Sequence, residues 1–268
     1  MPMENMIFNE DCLDTMSRME DNSIDLVVTS PPYDNLRTYD NDVDQSWGEA
    51  TWKPIISEIS RVIKEGGVIV WVVNDATIDG SETGSSFKQA LYFMECGLKL
   101  YDTMIYQKSG CASPSKKRYF PSFEYMFVLS KGYPSTFNPI EDRENRWRER
   151  WGKKRNRRKK DGTFGSPYDS KKAPLFGMRY NIWKYRQGFQ VGQGVKYEHP
   201  ATFPENLAHD HIISWSNEGD LVYDPFLGSG TTAKMAKTTR RKYLGSEINE
   251  DYFKIAQKRL SQTQEYFF

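Results

Sequence analysis

A stretch near the end of the chain decides the fold: Gly219-Asp220-Leu221-Val222-Tyr223-Asp224-Pro225-Phe226-Leu227-Gly228-Ser229-Gly230-Thr231-Thr232-Ala233. A short apolar run ends at an acidic residue, a glycine-rich turn comes next, and a run suited to a helix begins at Thr231 or Thr232. This order predicts a strand, a tight loop and the amino terminus of a helix. The glycines allow the backbone to approach a ligand closely, and the helix start offers unpaired N–H groups with a partial positive charge.

The elements after this loop indicate that the strand order is permuted. A second predicted strand, Lys242–Ser246, leads to Glu247, which is placed like the acid that holds a ribose in nucleotide-binding βαβ units. The loop also fits the loose dinucleotide fingerprint Gly-x-Gly-x-x-Ala, although a glycine turn without a ligand has the same pattern. Only one more helix comes after Glu247, with Asn249 as its N-cap. One such unit cannot make a sheet, so the remaining strands must come from the amino-terminal part.

With 268 residues, the chain is long enough for one large domain or for one domain with a sizeable insertion. Its net charge of +1 says little about partners, so the distribution of charge along the chain must be considered instead. Cys12, Cys96 and Cys111 lack metal or disulfide spacing, which favours a reducing cytoplasm as the location. No apolar run is long enough to span a membrane, and the amino terminus lacks a signal-peptide pattern. The histidines have no cysteine or carboxylate cluster beside them, so no metal site is expected.

The amino-terminal part supplies alternating strands and helices. Strands are predicted over residues 6–8, 23–28, 68–73, 98–106 and 123–129, with the last two as an antiparallel pair at one end of the sheet. An apolar helical stripe covers residues 52–63, and Gly66-Gly67 is predicted as its C-terminal stop. A further helix covers residues 86–96, and another precedes the Asp224 strand.

The strand over residues 23–28 runs into Thr29-Ser30-Pro31-Pro32-Tyr33. Two prolines cannot continue a central strand, so the chain must leave the sheet at this strand's carboxyl edge. Ligands of open α/β sheets bind outside such edges. The segment is therefore a candidate catalytic segment, and the alternative is a rigid surface loop without a catalytic role.

Basic residues concentrate in a segment that starts near Glu141, and they are Arg146, Arg148, Lys153, Lys154, Arg155, Arg157, Arg158, Lys159 and Lys160. Aromatic residues are interleaved with them. Lysine and arginine neutralise phosphates and aromatic faces stack on unpaired bases, so nucleic-acid contact is predicted, with a merely solvated charge run as the alternative. Residues 108–197 are predicted as a strand-containing insertion with this basic region. Residues 1–107 and 198–268 then form the catalytic and cofactor-binding halves of one α/β domain.

With these segments in place, the chain resembles the β-group of S-adenosylmethionine-dependent DNA amino-methyltransferases. Thr29–Tyr33 looks like the catalytic (Ser/Asp/Asn)-Pro-Pro-(Tyr/Phe) motif of that group, and Asp224–Thr232 looks like its Phe-x-Gly-x-Gly cofactor motif. His199–Leu207 is similar to the segment that packs against the methionine moiety. Asn9–Cys12 is similar to the segment that meets the adenine, with Glu10 standing where glycine is common. The basic insertion occupies the place of the target-recognition region.

The resemblance implies a Rossmann-like methyltransferase sheet in circularly permuted order, with S-adenosyl-L-methionine as the cofactor. It implies that the catalytic residues are Ser30, Pro31, Pro32 and Tyr33. It implies cofactor contacts by Asp11, Cys12, Pro200, Phe203, Asp224, Pro225, Phe226, Gly228, Ser229, Gly230, Thr231, Thr232, Glu247 and Ile248. In this scheme the Ser30 hydroxyl and the Pro31 carbonyl accept hydrogen bonds from the amino group of a flipped base. Tyr33 stacks on the base, Asp224 faces the cofactor's ammonium, and Glu247 accepts both ribose hydroxyls.

The implied function is site-specific methylation of an exocyclic amino group in double-stranded DNA. Serine at the first motif position is commoner among cytosine-N4 enzymes, which favours that base, and adenine N6 is the alternative. Methylation of cytosine C5 is disfavoured because its nucleophile is a cysteine after a proline, and none of the three cysteines comes after one. More distant alternatives are an NAD-dependent oxidoreductase, a non-catalytic nucleic-acid-binding module and an RNA substrate. The resemblance also allows a cognate restriction endonuclease and a homodimer, and no membrane partner is expected.

Overall fold

The computed structural model describes residues 3–32, 47–108, 117–146, 154–169, 174–185 and 204–263. The chain forms two compact units, one made of Met1–Asn138 with Asn181–Phe268 and the other of Pro139–Tyr180. In the described ranges the strands are β1 (Met6–Phe8), β2 (Ile24–Thr29), β3 (Ile63–Val73), β4 (Thr77–Ile78), β5 (Ser81–Glu82), β6 (Lys99–Lys108), β7 (Phe123–Ser130), β8 (Arg143–Glu144), β9 (Lys154–Arg158), β10 (Phe164–Asp169), β11 (Phe176–Gly177), β12 (Ile182–Tyr185), β13 (Leu221–Asp224) and β14 (Lys242–Ser246). The helices are α1 (Cys12–Ser17), α2 (Glu49–Val62), α3 (Ser85–Glu95), α4 (Glu205–Trp215), α5 (Thr231–Thr238) and α6 (Glu250–Gln262).

An eight-stranded sheet forms the first unit, with the order β1-β14-β13-β2-β3-β7-β6-β12 among the described strands. The strands from β1 to β3 in this order are parallel neighbours. β7 runs antiparallel to both β3 and β6, and β12 is parallel to β6. The pairing of β1 with β14 joins the amino-terminal part to the carboxyl-terminal part, so the predicted permuted order is confirmed. The mixed α/β class with a Rossmann-like sheet is confirmed as well.

Helices cover both faces of this sheet. Successive residues of β3 from Val68 to Val73 are all buried, which requires packing on both sides of the strand. Helices α1, α2 and α3 share one core cluster with alternating strand residues such as Ile69 and Trp71. Helices α5 and α6 pack around Leu227 in another cluster. The continuous apolar runs of the sequence therefore correspond to strands buried on both faces.

The predicted antiparallel pair is present as β6 and β7, but it does not end the sheet. β12, which the sequence analysis did not predict, adds a parallel strand outside β6 through the register Ile182↔Ile105 and Trp183↔Tyr106. The strand has only four residues and mixes polar with aromatic side chains, so no alternating pattern is long enough to indicate it.

The predicted glycine stop of the second helix is wrong. Helix α2 ends at Val62, because Ile63 already has extended backbone with φ −68° and ψ 135°. Strand β3 starts there and runs through the glycine pair, where the pairing with β2 shifts register between Ile24 and Leu26. Gly66 has φ +78°, and a Cβ at this position would overlap the Ser135 hydroxyl. The glycine therefore permits a bulge in a strand and does not terminate a helix.

The second unit, residues 139–180, consists of short antiparallel pairings. β8 pairs with β11, and β9 pairs with β10. The turn between β9 and β10 is fixed by Asp161, whose carboxylate accepts hydrogen bonds from the backbone N–H and the hydroxyl of Thr163. An ion pair joins Arg179 to Asp142 at 2.5 Å, and the guanidinium of Arg143 lies 4.8 Å from the ring centroid of Tyr180.

Candidate active site

The described residues predicted for catalysis and for the cofactor lie just beyond the carboxyl ends of four neighbouring parallel strands. In sheet order these strands are β1, β14, β13 and β2, and they end at Phe8, Ser246, Asp224 and Thr29. Because the carboxyl ends of parallel strands meet at one edge, the segments that come after them lie along the same edge of the sheet. The structure thus brings the Asn9–Cys12 segment, Glu247, the glycine loop and the Ser30-Pro31-Pro32 segment to one edge.

Asp224 joins the glycine loop to the catalytic segment. Its Oδ1 accepts hydrogen bonds from Thr29 Oγ1 at 2.6 Å and from the backbone N–H of Phe226 at 3.0 Å. Thr232 Oγ1 donates to the carbonyl oxygen of Val28 at 3.1 Å, which adds a second link between α5 and β2. Burial raises the pKa of Asp224 to about 6, although hydrogen bonds from Thr29, Thr232 and Phe226 oppose that rise. The backbone that leads into Ser30 is therefore held by the loop predicted to bind the cofactor.

The glycine loop has two glycines in the left-handed region. Gly228 has φ +52° and Gly230 has φ +80°, conformations that other residues rarely adopt. A Cβ on Gly230 would lie 2.9 Å from the Cβ of Ala256, so glycine is also needed there for the close approach of α6. This packing reason was not foreseen, since the sequence analysis assigned both glycines to the approach of a ligand. Helix α5 starts after Gly230 without a side-chain cap from the described residues, which leaves N–H groups of its first turn available to a ligand.

Glu247 closes the loop from the neighbouring strand. Its Oε2 accepts the backbone N–H of Gly228 at 2.7 Å, and its Oε1 accepts that of Asn249 at 2.9 Å. Burial raises the pKa of the Glu247 carboxyl, and the two backbone hydrogen bonds oppose the rise. Asn9 supports the same turn, because its Nδ2 donates to the carbonyl oxygens of Glu247 at 2.8 Å and Ile248 at 3.2 Å. The Ile248 side chain is exposed and can cover a planar ligand group.

The segment after β1 has mainly local roles in the described structure. Asp11 is the N-cap of α1 and accepts the backbone N–H of Leu13 at 2.8 Å. Glu10 forms an ion pair with Arg18, and it accepts the Thr15 hydroxyl at 2.6 Å. Cys12 is buried in the core, and burial raises the pKa of its thiol far above its ordinary value. The Cys12 side chain is therefore a packing residue, and a cofactor contact by this segment would use backbone atoms or Asp11.

Phe226 belongs to an aromatic group beside the glycine loop. Its ring meets Trp47 edge-on at a centroid distance of 5.4 Å and Trp71 at 6.0 Å. The indole N–H of Trp71 donates to Gln89 Oε1 at 2.8 Å in the core. These contacts fix the plane of Phe226 and make it a firm support at the rim of the loop.

Three charged side chains behind the loop were not predicted. Arg259 of α6 donates through Nη1 to the carbonyl oxygen of Ser229 at 2.5 Å and to its hydroxyl at 2.8 Å. Through Nη2 it also donates to Glu205 Oε1 at 2.8 Å, and Lys234 Nζ donates to the same oxygen at 2.6 Å. A lone arginine on an amphipathic helix carries no motif, so only the structure identifies it. The arginine ties the loop to Glu205 in the first turn of α4, which belongs to the predicted methionine-binding segment His199–Leu207.

The structure also places the remaining predicted residues. Ser30 and Pro32 are half-buried and Pro31 is buried at the end of β2. Pro225, Ser229, Thr231 and Thr232 are buried within the loop and the first turn of α5. Arg146, Arg158, Lys159 and Lys160 are exposed, and Lys154, Arg155 and Arg157 lie in β9. Tyr33, Arg148, Lys153, Pro200 and Phe203 lie outside the described residues. Within the described ranges, no three His, Cys, Asp or Glu side chains are grouped to hold a metal.

Comparison with known proteins identifies the chain. The sequence model of a DNA methylase family, whose members are N6 and N4 methyltransferases, matches residues 24–258. The chain belongs to this DNA methylase family. It is 52% identical over 245 residues to the orphan methyltransferase M.BamHII of Bacillus amyloliquefaciens, covering 90% of this chain and 89% of that one. It is 28% identical over 263 residues to the type II methyltransferase M.BglII of Bacillus subtilis, covering 96% of this chain and 69% of that one.

Solved structures show the same fold. The cytosine-N4-specific PvuII DNA methyltransferase superposes with a TM-score of 0.67 at 18% identity, covering 98% of this chain and 94% of that one. The complex of M1.HpyAVI with S-adenosylmethionine superposes with a TM-score of 0.60 at 19% identity, covering 95% of this chain and 98% of that one. As a member of the N6 and N4 DNA methylase family, the chain is an S-adenosylmethionine-dependent enzyme that methylates amino groups in DNA. Among the helices of the described ranges, none combines the length and apolar character that crossing a bilayer requires.

The described residues fit this cofactor by the chemistry of their donors and acceptors. A carboxylate has about four lone-pair sites, so Glu247 can accept two ribose hydroxyls beside its two backbone N–H groups. The uncapped first turn of α5 offers N–H donors to a carboxylate. Asp224 is an anionic acceptor at neutral pH, because its pKa is about 6.

Proposed function

We propose that the DNA methylase transfers a methyl group to cytosine N4 at a specific site in double-stranded DNA, with adenine N6 as the alternative. The observation that carries the choice of base is Ser30 at the first position of the catalytic segment. A serine hydroxyl donates to the unprotonated ring nitrogen of cytosine while the neighbouring carbonyl accepts from the amino group. Adenine N1 would accept the same bond, so the chemistry alone permits both bases.

The catalytic segment compensates for a poor nucleophile. The lone pair of an exocyclic amine is conjugated into the base, so acceptors must draw on its N–H groups and orient the nitrogen. The Pro31 carbonyl and the Ser30 hydroxyl oxygen supply these acceptors, since that oxygen keeps lone pairs for the amine while its hydrogen is donated to the ring nitrogen. Prolines fix φ and add no N–H donor, and the Thr29–Asp224 bond anchors the segment before a base arrives. Tyr33 supplies the stacking surface for the flipped base.

The cofactor half of the site would hold S-adenosylmethionine through four groups of residues. Glu247 would accept the ribose hydroxyls, and Phe226 with Ile248 would flank the adenine. Asp224 and the first turn of α5 would face the charged methionine end, to which Pro200 and Phe203, outside the described residues, are also assigned. The bound cofactor supplies an electrophilic methyl group on a sulfonium, so the transfer is direct and needs no cysteine nucleophile. The buried, neutral Cys12 thiol agrees with this mechanism.

Site recognition is assigned to the basic residues of the insertion. Arg158, Lys159 and Lys160 are exposed at the turn end of the β9–β10 hairpin, and Arg146 is exposed before it. A hairpin that carries adjacent cations suits phosphate contacts, while base contacts would require further side chains of the insertion.

The proteins that resemble this chain include enzymes named for adenine and for cytosine. The chain is 27% identical over 274 residues to the DNA adenine methyltransferase YhdJ of Escherichia coli, covering 97% of this chain and 84% of that one. The PvuII enzyme is cytosine-N4-specific, but its likeness to this chain concerns the fold. The preference for cytosine N4 therefore depends on Ser30.

Mass spectrometry of nucleosides tests the base. DNA incubated with the purified enzyme and S-adenosylmethionine should contain N4-methylcytosine after digestion. N6-methyladenine as the sole product would show that the target base is adenine and not cytosine, and it would leave the proposed mechanism unchanged. 5-Methylcytosine would contradict both the base and the direct transfer to an amino group.

A cognate restriction endonuclease is a further proposed partner. Several relatives, M.BglII among them, are named as type II methyltransferases, whereas M.BamHII is named an orphan methyltransferase. DNA methylated by this enzyme can be challenged with a panel of restriction endonucleases, and protection from one of them would identify an endonuclease that shares its site. Full sensitivity to all enzymes that cut at the methylated sequence would contradict the partnership.

A further inference from the structure

Two aromatic rings just before β7 are exposed to solvent. Tyr119 is 100% exposed and Phe120 is 55% exposed. The next aromatic residue, Phe123 at the start of β7, is 39% exposed. Single exposed apolar side chains are ordinary on protein surfaces, but three large exposed rings within five residues concentrate apolar surface in one place. Such a concentration indicates a binding partner.

The two rings lie at the edge of the sheet that holds the catalytic segment. β7 runs antiparallel to β3, and Val73, at the carboxyl end of β3, is level with Tyr125. β3 is in turn the neighbour of β2, which ends at Thr29 directly before Ser30. Neighbouring strands are about 4.8 Å apart, so about 10 Å separates β7 from β2. The exposed rings therefore precede a strand that begins close to the catalytic segment.

Hydrogen bonds hold the chain on both sides of the two rings. Before them, Arg118 donates to the carbonyl oxygen of Gly80 at 2.7 Å and to the hydroxyl of Thr77 at 3.2 Å. After them, the carbonyl oxygen of Ser122 accepts the backbone N–H of Lys108 at 2.7 Å. An anchored segment loses little conformational freedom when it binds, which favours the insertion of its rings into a partner.

The charges beside the rings fit a nucleic acid. Lys116, Lys117 and Arg118 directly precede Tyr119 in the sequence. Glu82 is the acidic partner of Arg118 at 3.8 Å, so the four charged side chains together have a net positive charge. Cations next to exposed rings match a partner with phosphates and stacked bases, whereas an apolar protein surface would not require the cations.

We propose that Tyr119 and Phe120 enter the DNA duplex at the place that the target base leaves, an inference that rests on the proposed transfer to a flipped base. Flipping removes a base from the stack and costs the energy of unstacking and unpairing. An inserted aromatic ring stacks on the neighbouring bases and offsets part of this cost. Tyr119, as the fully exposed ring, fills the space of the flipped base, and Phe120 packs against the adjacent base pair.

A duplex in which the target base is already unpaired tests this insertion. Methyl transfer is measured on a matched duplex that contains the site methylated in long DNA. It is also measured on the same duplex with an abasic position opposite the target base, where flipping costs less. Tyr119→Ala and Phe120→Ala should each slow transfer to the matched duplex at least about tenfold. On the abasic duplex, each variant should come within about threefold of the wild-type rate.

Two further variants make the result specific to the inserted ring. Tyr119→Trp keeps an aromatic ring and should retain the wild-type rate on the matched duplex. Tyr133→Ala is the matched control, because Tyr133 is 78% exposed but lies beyond the opposite end of β7. It should leave both rates unchanged.

The two duplexes also separate this inference from the proposed function. Alanine variants that methylate both duplexes at the wild-type rate overturn the insertion and assign the rings to a protein partner. An equal loss on both duplexes overturns it as well, because the rings would then serve DNA binding or folding in general. A wild-type chain that methylates no DNA contradicts the proposed function itself, and this inference with it.

Discussion

At the scale of single residues, the bond between Thr29 and Asp224 connects binding to chemistry. Thr29 Oγ1 donates to Asp224 Oδ1 at 2.6 Å, with both side chains buried between β2 and β13. Neither residue could be identified as half of a pair from the sequence, because 195 positions separate them. The sequence places each one at the end of a parallel strand, but the adjacency of those two strands depends on the whole sheet order.

Replacing Thr29 by Val should slow methyl transfer. It should also shift to higher pH the range in which activity is lost on acidification. Burial raises the pKa of Asp224 to about 6, and the Thr29 hydroxyl is a donor that opposes this rise. Removing the donor destabilises the ionised form, so the Asp224 pKa should rise further, by roughly one unit. A neutral carboxyl also accepts fewer hydrogen bonds, which loosens the backbone before Ser30. Activity should therefore fall as the pH drops through the Asp224 pKa, and in Thr29→Val this fall should begin at higher pH.

The pH dependence of single-turnover methyl transfer measures this effect. Thr29→Ser is the matched control, because it keeps the hydroxyl and should keep the wild-type profile. The side chain of Asp224→Asn cannot titrate, so the low activity of this variant should not fall further as the pH drops through that range. If the activity of Thr29→Val and that of the wild type fall over the same pH range, the role assigned to the Thr29–Asp224 bond is contradicted.

At the scale of structural elements, helix α6 contributes to the site although the helix itself carries no predicted motif. Arg259 bonds the Ser229 carbonyl and hydroxyl, and it also bonds Glu205 at the start of α4. The helix was predicted with Asn249 as its N-cap, and Asn249 does cap it by accepting from the backbone N–H groups of Asp251 and Tyr252. The cap gave no indication of a role for Arg259, because that role depends on three segments that meet only in the folded chain.

Replacing Arg259 by Met should weaken cofactor binding more than it slows the chemical step. The change leaves Ser229 without its donor and Glu205 with Lys234 as its remaining ion-pair partner, a loss of about 1–3 kcal/mol of local stabilisation. The dissociation constant of S-adenosylmethionine, measured by calorimetry, should rise about tenfold or more. Lys258→Met, on the same helix, is the control. An unchanged dissociation constant in Arg259→Met would show that the arginine only packs the helix.

The β9–β10 hairpin is the second element with a testable function. Replacing the exposed residues Arg158, Lys159 and Lys160 by Gln removes three cations beside its turn. Each phosphate contact contributes about 0.9 to the slope of log K against log salt concentration, so the slope should fall by up to about 3. Fluorescence anisotropy at several salt concentrations gives this slope. The control variant carries Gln at Lys254 and Lys258 of α6. If the hairpin variant has the same slope as the wild type, the basic residues of the hairpin are only solvated and do not contact DNA.

At the scale of the whole molecule, the sequence predicted the sheet but not its far end. The long apolar strands, the helix capped by Asn249 and the strand, turn and helix around the glycine loop carry local signals, and these elements were confirmed. The β3 bulge at Gly66 and the edge strand β12 depend on contacts with Ser135 and Ile105, which no local pattern encodes. The exposed rings of Tyr119 and Phe120 were not identified for the same reason, because a loop sequence does not tell which apolar side chains lack a cover.

The joining of the two chain ends makes a prediction about stability. The β1–β14 pairing unites residues 6–8 with residues 244–246 beside the predicted cofactor contacts, so binding should stabilise the sheet as one cooperative unit. A ligand at about 100 times its dissociation constant adds about 2.7 kcal/mol to the free energy of unfolding. For a chain of this size, that should raise the Tm by roughly 5–10 °C. Differential scanning calorimetry with S-adenosylmethionine should show a single transition that moves upward with ligand concentration.

Two comparisons make this thermal measurement specific to the assigned roles. NAD at the same concentration should leave the Tm unchanged, because the site is assigned to a zwitterionic cofactor without a pyrophosphate. Ser30→Ala should keep the full shift while losing methyl transfer, since Ser30 is assigned to the base, and Arg259→Met should show a reduced shift. Two separate transitions, with only one moved by S-adenosylmethionine, would mean that the β1–β14 pairing does not couple the ends of the chain. A Ser30→Ala variant without the shift would place Ser30 in cofactor binding and remove it from the catalytic role.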